Sequence, residues 1–139
     1  MTSVKERTHI LICLILFVFI SGCEPIEESE LYGTYIAKYS FGGSEKLILS
    51  SDGRYSQEVN VVINGSTKTV QNSGSWSYNP TNKYLRLKDF LIVVDGFGKL
   101  KKNYDTPFSG YAVEPVSQIF PWSPIKIGSG EGLLYIKTE

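Results

Sequence analysis

His9 is the one histidine among 139 residues, and Cys13 and Cys23 are the only two cysteines. Imidazole is the usual side-chain base near neutral pH and a common metal ligand, and a thiolate is a strong nucleophile. All three residues lie within the first 23, so chemistry further along must rely on carboxylates. Two carboxylates flanking a sugar can hydrolyse its glycosidic bond when suitably spaced. Asp52, Glu58, Asp89, Asp95, Asp105, Glu114 and Glu131 are the candidates. Asp52 is explained by a turn, Glu58 by a polar strand face, and Asp105 and Glu131 by loops. Asp95 and Glu114 end apolar strands and are the pair left for such a role. No loop has the Asp-rich spacing of a calcium-binding EF-hand. Glycine alternates in Gly128-Ser129-Gly130-Glu131-Gly132, but a phosphate cradle needs a helix N-terminus behind it and Leu133 begins a strand. A hairpin or bulge is expected there. No catalytic residue, metal site or cofactor is therefore assigned, and a carboxylate-based hydrolase is kept only as an alternative.

Side chains suited to binding are more plentiful: nine Tyr, seven Phe and two Trp. Tyr35, Tyr55 and Trp76 fall at core-facing positions. Phe97, Tyr104, Phe108, Phe120 and Trp122 fall in loops, where exposed aromatics are typical of contact surfaces. Phe120-Pro121-Trp122-Ser123-Pro124 is the segment expected to touch a partner, with Phe120 and Trp122 as its contact residues. The alternative is a loop that plugs one end of the domain. Lys99, Lys101 and Lys102 form a small basic cluster near Phe97. It reads either as a solvated loop or as a seat for anionic headgroups.

The elements that must position these residues begin with a segment apart from the rest. Lys5 and Arg7 lie in a polar head, followed by an uninterrupted apolar run from Ile10 to Ile20. Those residues reach about 16 Å as a helix, against about 30 Å of bilayer hydrocarbon. A charged start, a short apolar run and small residues after it are the parts of an export signal. The run ends in Ile20-Ser21-Gly22-Cys23, which resembles the lipobox of bacterial lipoproteins. The resemblance implies diacylglycerol on the Cys23 sulfur and cleavage between Gly22 and Cys23. Expected boundaries are a signal at 1–22, a lipidated acidic tether at 23–30 and one β-domain at 31–139. Glu24, following the cysteine in place of aspartate, implies sorting to an outer membrane, facing the periplasm, if the cell has one. Removal of His9 and Cys13 with the signal would leave no histidine and no cysteine besides Cys23. Removal of Lys5, Arg7 and Glu6 would leave 12 basic and 13 acidic residues out of 14 each. That balance lacks the basic excess of a nucleic-acid binder.

From Leu31 onward apolar residues alternate with polar ones, the period of a half-buried strand. Leu31 to Tyr39, Lys46 to Ser50 and Tyr55 to Ile63 are the first three strands. Asp52-Gly53 and Asn64-Gly65 have hairpin-turn chemistry. Ser66–Gln71 reads as a polar edge strand, Gly74–Tyr78 as the next, and Asn79-Pro80-Thr81-Asn82 as its end. Leu85 and Leu87 alternate with Arg86 and Lys88, and Leu91 to Val94 is a short apolar run. Lys99 to Ser109 reads as a long loop. Short strands are expected at 111–113 and 125–127, and a last one at 133–137. No stretch carries a helical period, so helix should be minor. About seven to nine short strands at this spacing make a barrel or a sandwich, and successive hairpins favour an up-and-down barrel.

Leu31-Tyr32-Gly33-Thr34-Tyr35, the run from Glu45 to Tyr55 and Gly74-Ser75-Trp76 together resemble the lipocalin-like domains of small bacterial lipoproteins. The resemblance implies an all-β, small antiparallel barrel with no particular ligand; a β-sandwich is the alternative. The expected protein is a lipid-anchored envelope lipoprotein that acts as a non-enzymatic module. It would be held to the membrane through Cys23 and would bind another envelope protein or the wall. A lipocalin-like carrier of a small apolar ligand is the second expectation. A filled interior with exposed loop aromatics would favour the first, and an apolar cavity of about 300 Å³ or more the second.

Overall fold

A computed structural model describes residues 24–128 and 132–139. After a single 3-10 turn at Glu28–Leu31 come eight strands, each following from the alternation described above. They are β1 (Gly33–Lys38), β2 (Gly43–Leu49), β3 (Arg54–Ile63), β4 (Ser66–Asn79), β5 (Tyr84–Lys88), β6 (Tyr111–Ser117), β7 (Lys126–Ile127) and β8 (Tyr135–Lys137). Each pairs antiparallel with the next, and β8 returns to β1 through Ile36↔Ile136, so the sheet closes. The fold is thus all-β, an up-and-down barrel of the lipocalin-like kind, and closure sets the sandwich aside. Among the described residues no helix is long and apolar enough to cross a membrane.

The turns do what their residues dictate. Asn64 and Gly65 both adopt positive φ, 51° and 76°, and join Ile63 to its partner Ser66 in a two-residue hairpin. Two expectations need correction. The stretch expected as two strands, at 66–71 and 74–78, is one strand, Ser66–Asn79, of 14 residues. It changes partner without turning: Ser66 to Ser75 pair with β3, and Trp76 to Asn79 with β5. The small residues at 73–75 mark a close approach. A side chain at Gly74 would sit 2.4 Å from the Lys88 carbonyl oxygen and 2.7 Å from the Tyr55 ring. Leu91–Val94, the apolar run, is not a strand of the barrel. It belongs to the long β5–β6 connection, where only Val94 bridges back to Leu100.

Inward-facing residues fill the barrel with one cluster that includes Tyr35, Leu47, Tyr55, Trp76, Leu87 and Ile127. The strand directions sort the loops between two ends. The N-terminal end carries residues 24–32, the 50–53 and 79–83 turns, the 118–125 loop and the C-terminus. The far end carries the 39–42 and 64–65 turns, the 89–110 connection and the loop before β8. Part of the acidic segment expected as a tether packs on the first of these ends. Ile26 and Leu31 are buried in the core cluster, and Tyr35 Oη donates to the Leu31 carbonyl at 2.8 Å.

Candidate functional site

Strand phase brings a set of polar side chains into the barrel near its far end. On β2 the inward positions are Glu45, Leu47 and Leu49, and on β3 they are Tyr55, Gln57, Val59 and Val61. Glu45 is fully buried, with no exposed surface. Tyr39 Oη donates to its Oε2 at 2.7 Å, and Tyr135 Oη and Gln57 Nε2 both donate to its Oε1. The three donors are neutral; among the described residues the one ion pair is Lys46–Glu58, on the surface. Burial without a cation favours the uncharged acid, so the Glu45 pKa is pushed up, against the opposing pull of those hydrogen bonds. Burial, and then Glu45 itself, push the Tyr135 and Tyr39 hydroxyls up as well.

Gln57 ties this cluster to the segment crossing the far end. Its amide donates to the Leu91 carbonyl at 2.9 Å and accepts the Leu91 N–H at 3.0 Å, replacing the strand pairing that Leu91 lacks. Asn72 adds donations to Gln57 Oε1 at 3.1 Å and to the Asp89 carbonyl at 2.9 Å. Tyr55 Oη donates to the Lys88 carbonyl at 2.7 Å, and burial pushes its pKa up to about 12. The network anchors residues 88–91 across the opening, with Leu91 and Val93 buried beneath.

The two carboxylates singled out from the sequence both line a far-end cleft of about 280 Å³, with Phe90–Val94, Gly96, Gly132, Leu133 and Tyr135. Their environments differ. Asp95 Oδ1 accepts the Phe97 and Lys99 N–H groups, both at 2.9 Å, and these backbone bonds hold its pKa low. Glu114 is half-buried, and burial pushes its pKa up. Asp95 is thus committed to its turn, while Glu45, whose pKa burial raises, has no exposed surface and does not line the cleft.

The loop expected to touch a partner has a different construction. Phe120 and Trp122 stack with ring centroids 5.1 Å apart and planes 3° from parallel. Trp122 is 81% exposed and Ile119 68%. The turn beneath them is internally bonded. Ser123 Oγ accepts the Phe120 N–H at 2.9 Å and donates to the Phe120 carbonyl at 2.8 Å, while the Ser123 N–H reaches that carbonyl too. Gln118 Nε2 donates to the Ser123 carbonyl at 2.8 Å. The Phe120 and Trp122 rings do not plug the barrel; Ile26, Leu31 and, at the end of this loop, Ile125 are among the buried apolar groups at this end. Gln118 was not singled out from the sequence and Ser123 was named only as part of the contact segment; a Ser and a nearby Gln around a Pro-containing aromatic loop are the signal that could have assigned them the shaping of the turn.

Lys99, Lys101 and Lys102 lie at the opposite end of the barrel from Glu24. Ile20, Ser21, Gly22 and Cys23 lie outside the described residues, as does Glu131. Comparisons with protein-family models, with curated proteins and with solved structures return no match to this chain.

Proposed function

We propose that this chain is a lipid-anchored envelope protein, held through Cys23, whose barrel is a non-enzymatic interaction module using the Phe120–Trp122 turn as its contact surface. The observation that carries this reading is the exposed aromatic stack on a turn already fixed by Ser123 and Gln118. A preorganised apolar surface binds without first paying to order its loop. The filled interior supports a module over a carrier. The lipobox-like Ile20-Ser21-Gly22-Cys23 after an apolar run supports the anchor.

A second reading, carriage of a small ligand, draws on the far-end cleft, with its Phe90, Leu91, Val93 and Leu133 wall. Its volume is slightly below that of typical ligand pockets, and Asp95 and Glu114 make its rim polar.

Cys23→Ser should abolish incorporation of labelled palmitate, and a mutant that still carries label would remove the anchor from the reading. A photo-crosslinking residue at position 122 should form adducts with an envelope component in cells, whereas one at Phe97, equally exposed at the far end, should not. Adducts from position 97 alone would transfer the contact surface to the far end.

A further inference from the structure

A groove of about 740 Å³ runs beside the aromatic turn, lined by Glu24, Pro25, Ile26, Lys83, Ile119 and Phe120 among others. Glu24 is the first described residue and follows Cys23 directly in the sequence. Ile26, two residues on, is buried in the core, so almost no slack separates Cys23 from this rim. Upstream of Glu24 the chain offers either the apolar run Ile10–Ile20 or, after cleavage, acyl chains on Cys23. In both cases an apolar membrane phase begins next to the groove.

We infer that the partner of the Ile119–Trp122 turn is the phospholipid surface itself. The turn lies in the headgroup–acyl boundary of the membrane that holds Cys23, and the barrel stands on its N-terminal end. This inference rests on the lipid-anchored reading above. Amphipathic aromatic rings collect at that boundary, and an aliphatic side chain beside them adds apolar area to bury. A backbone entering it must satisfy its polar groups internally, as Ser123 and Gln118 do for this turn. Charge selects among headgroups. Glu24, Glu27, Glu28, Glu30, Asp52 and Glu139 share this end with Arg54, Lys83, Lys126 and Lys137, an acidic balance that an anionic leaflet repels. Zwitterionic headgroups are therefore the fitting surface. The far end, with its lysines and cleft, faces away from the membrane.

The test uses the full chain purified from cells fed labelled palmitate, reconstituted into zwitterionic vesicles whose lipids carry bromine high on the acyl chain. Trp76 is buried in the barrel, so the emission absent from a Trp122→Phe variant belongs to Trp122. That emission should lose most of its intensity to the bromines, and lose less as anionic lipid replaces zwitterionic. Emission that stays unquenched on both compositions, or is quenched more on anionic vesicles, overturns the inference. If palmitate is present, Trp122 is unquenched and position 122 crosslinks to a protein, the contact surface stands and only its lipid partner fails. If no palmitate is present, the anchor fails first and the inference with it.

Discussion

The two ends of this barrel are closed by opposite means, and each closure sets what that end is free to do. At the far end, Tyr55 and Gln57 of β3 and Asn72 of β4 hold the backbone of residues 88–91 across the opening, and Glu45 of β2 and Tyr135 of β8 join the same network behind Gln57. At the N-terminal end, the 24–32 segment inserts Ile26 and Leu31, and Tyr32 packs edge-on against Trp76 at 5.9 Å. The far end hides Glu45, Gln57, Tyr39 and Tyr135 and satisfies their polar atoms with one another and with residues 88–91. At the N-terminal end the Tyr78 hydroxyl is buried without a partner among the described residues, and two stacked aromatic rings face solvent on a bonded turn. Hydrogen bonding directed inward makes a lid; directed into an exposed turn, it makes a rigid surface. The first should govern stability and the second contact, so mutations at the two ends should separate these properties.

The largest effect is expected at Glu45. Glu45→Ala strands the Tyr39 and Tyr135 hydroxyls and the Gln57 amide, each buried, and opens a cavity. A loss of about 4 kcal/mol in urea unfolding is expected, at the upper end for single substitutions. An unchanged urea midpoint would show that the far-end lid does not depend on this network.

A smaller effect of known sign concerns pH. The Glu45 pKa is raised in the fold from an ordinary value of 4.5, so the folded chain keeps a proton that the unfolded chain has released. Its contribution is full below that value and is lost as pH rises through the folded pKa. Glu114 is shifted the same way, by burial. The melting temperature should therefore fall as pH rises from about 4.5, and Glu45→Gln should flatten much of that slope. A parent and variant with identical pH profiles would assign the dependence to other groups.

At the other end, Phe120→Ser and Trp122→Ser should leave stability within about 0.5 kcal/mol of the parent, because exposed side chains away from the core contribute little to folding. The same variants should lose crosslinking or quenching at the turn. A large loss of stability instead would show that the stack holds the barrel together. The smallest response is expected from the fragment 24–139, which lacks the anchor. One aromatic turn does not hold a domain that even a single myristoyl chain holds only marginally. The fragment should remain in the supernatant with zwitterionic liposomes, and its sedimentation would mean that the turn suffices without lipid.

Much of the fold was legible because period-two alternation needs only local chemistry. Tyr55, Val59 and Val61 mark an inward face wherever their strand ends up, and Asn64-Gly65 turns the chain under any tertiary arrangement. The polar members of those same faces were not legible as such. Gln57 shares the phase of Tyr55 and Val59, and Glu45 that of Leu47 and Leu49, which was the available signal. Polar side chains are ordinarily assigned to solvent, and only partners from elsewhere in the chain make their burial tolerable. The partner change within β4 was hidden for a similar reason. A run of Asn, Ser and Gly looks like an interruption until the Lys88 backbone is placed over Gly74.

By itself the sequence determined the strand period, the hairpin positions, the apolar run ending in a lipobox-like motif and the placement of Phe120 and Trp122 in a loop. These depend on neighbours a few residues apart and on the solvent preference of each side chain. Closure of the barrel, burial of Glu45 with Tyr39, Gln57 and Tyr135, and the separation of Lys99–Lys102 from Glu24 were decided only in three dimensions. Tyr135 reaches Glu45 across 90 positions, and no local pattern specifies a hydrogen bond of that range. Strand direction likewise assigns loops alternately to opposite ends, which is why the aromatic turn shares an end with residue 24 and the lysines do not.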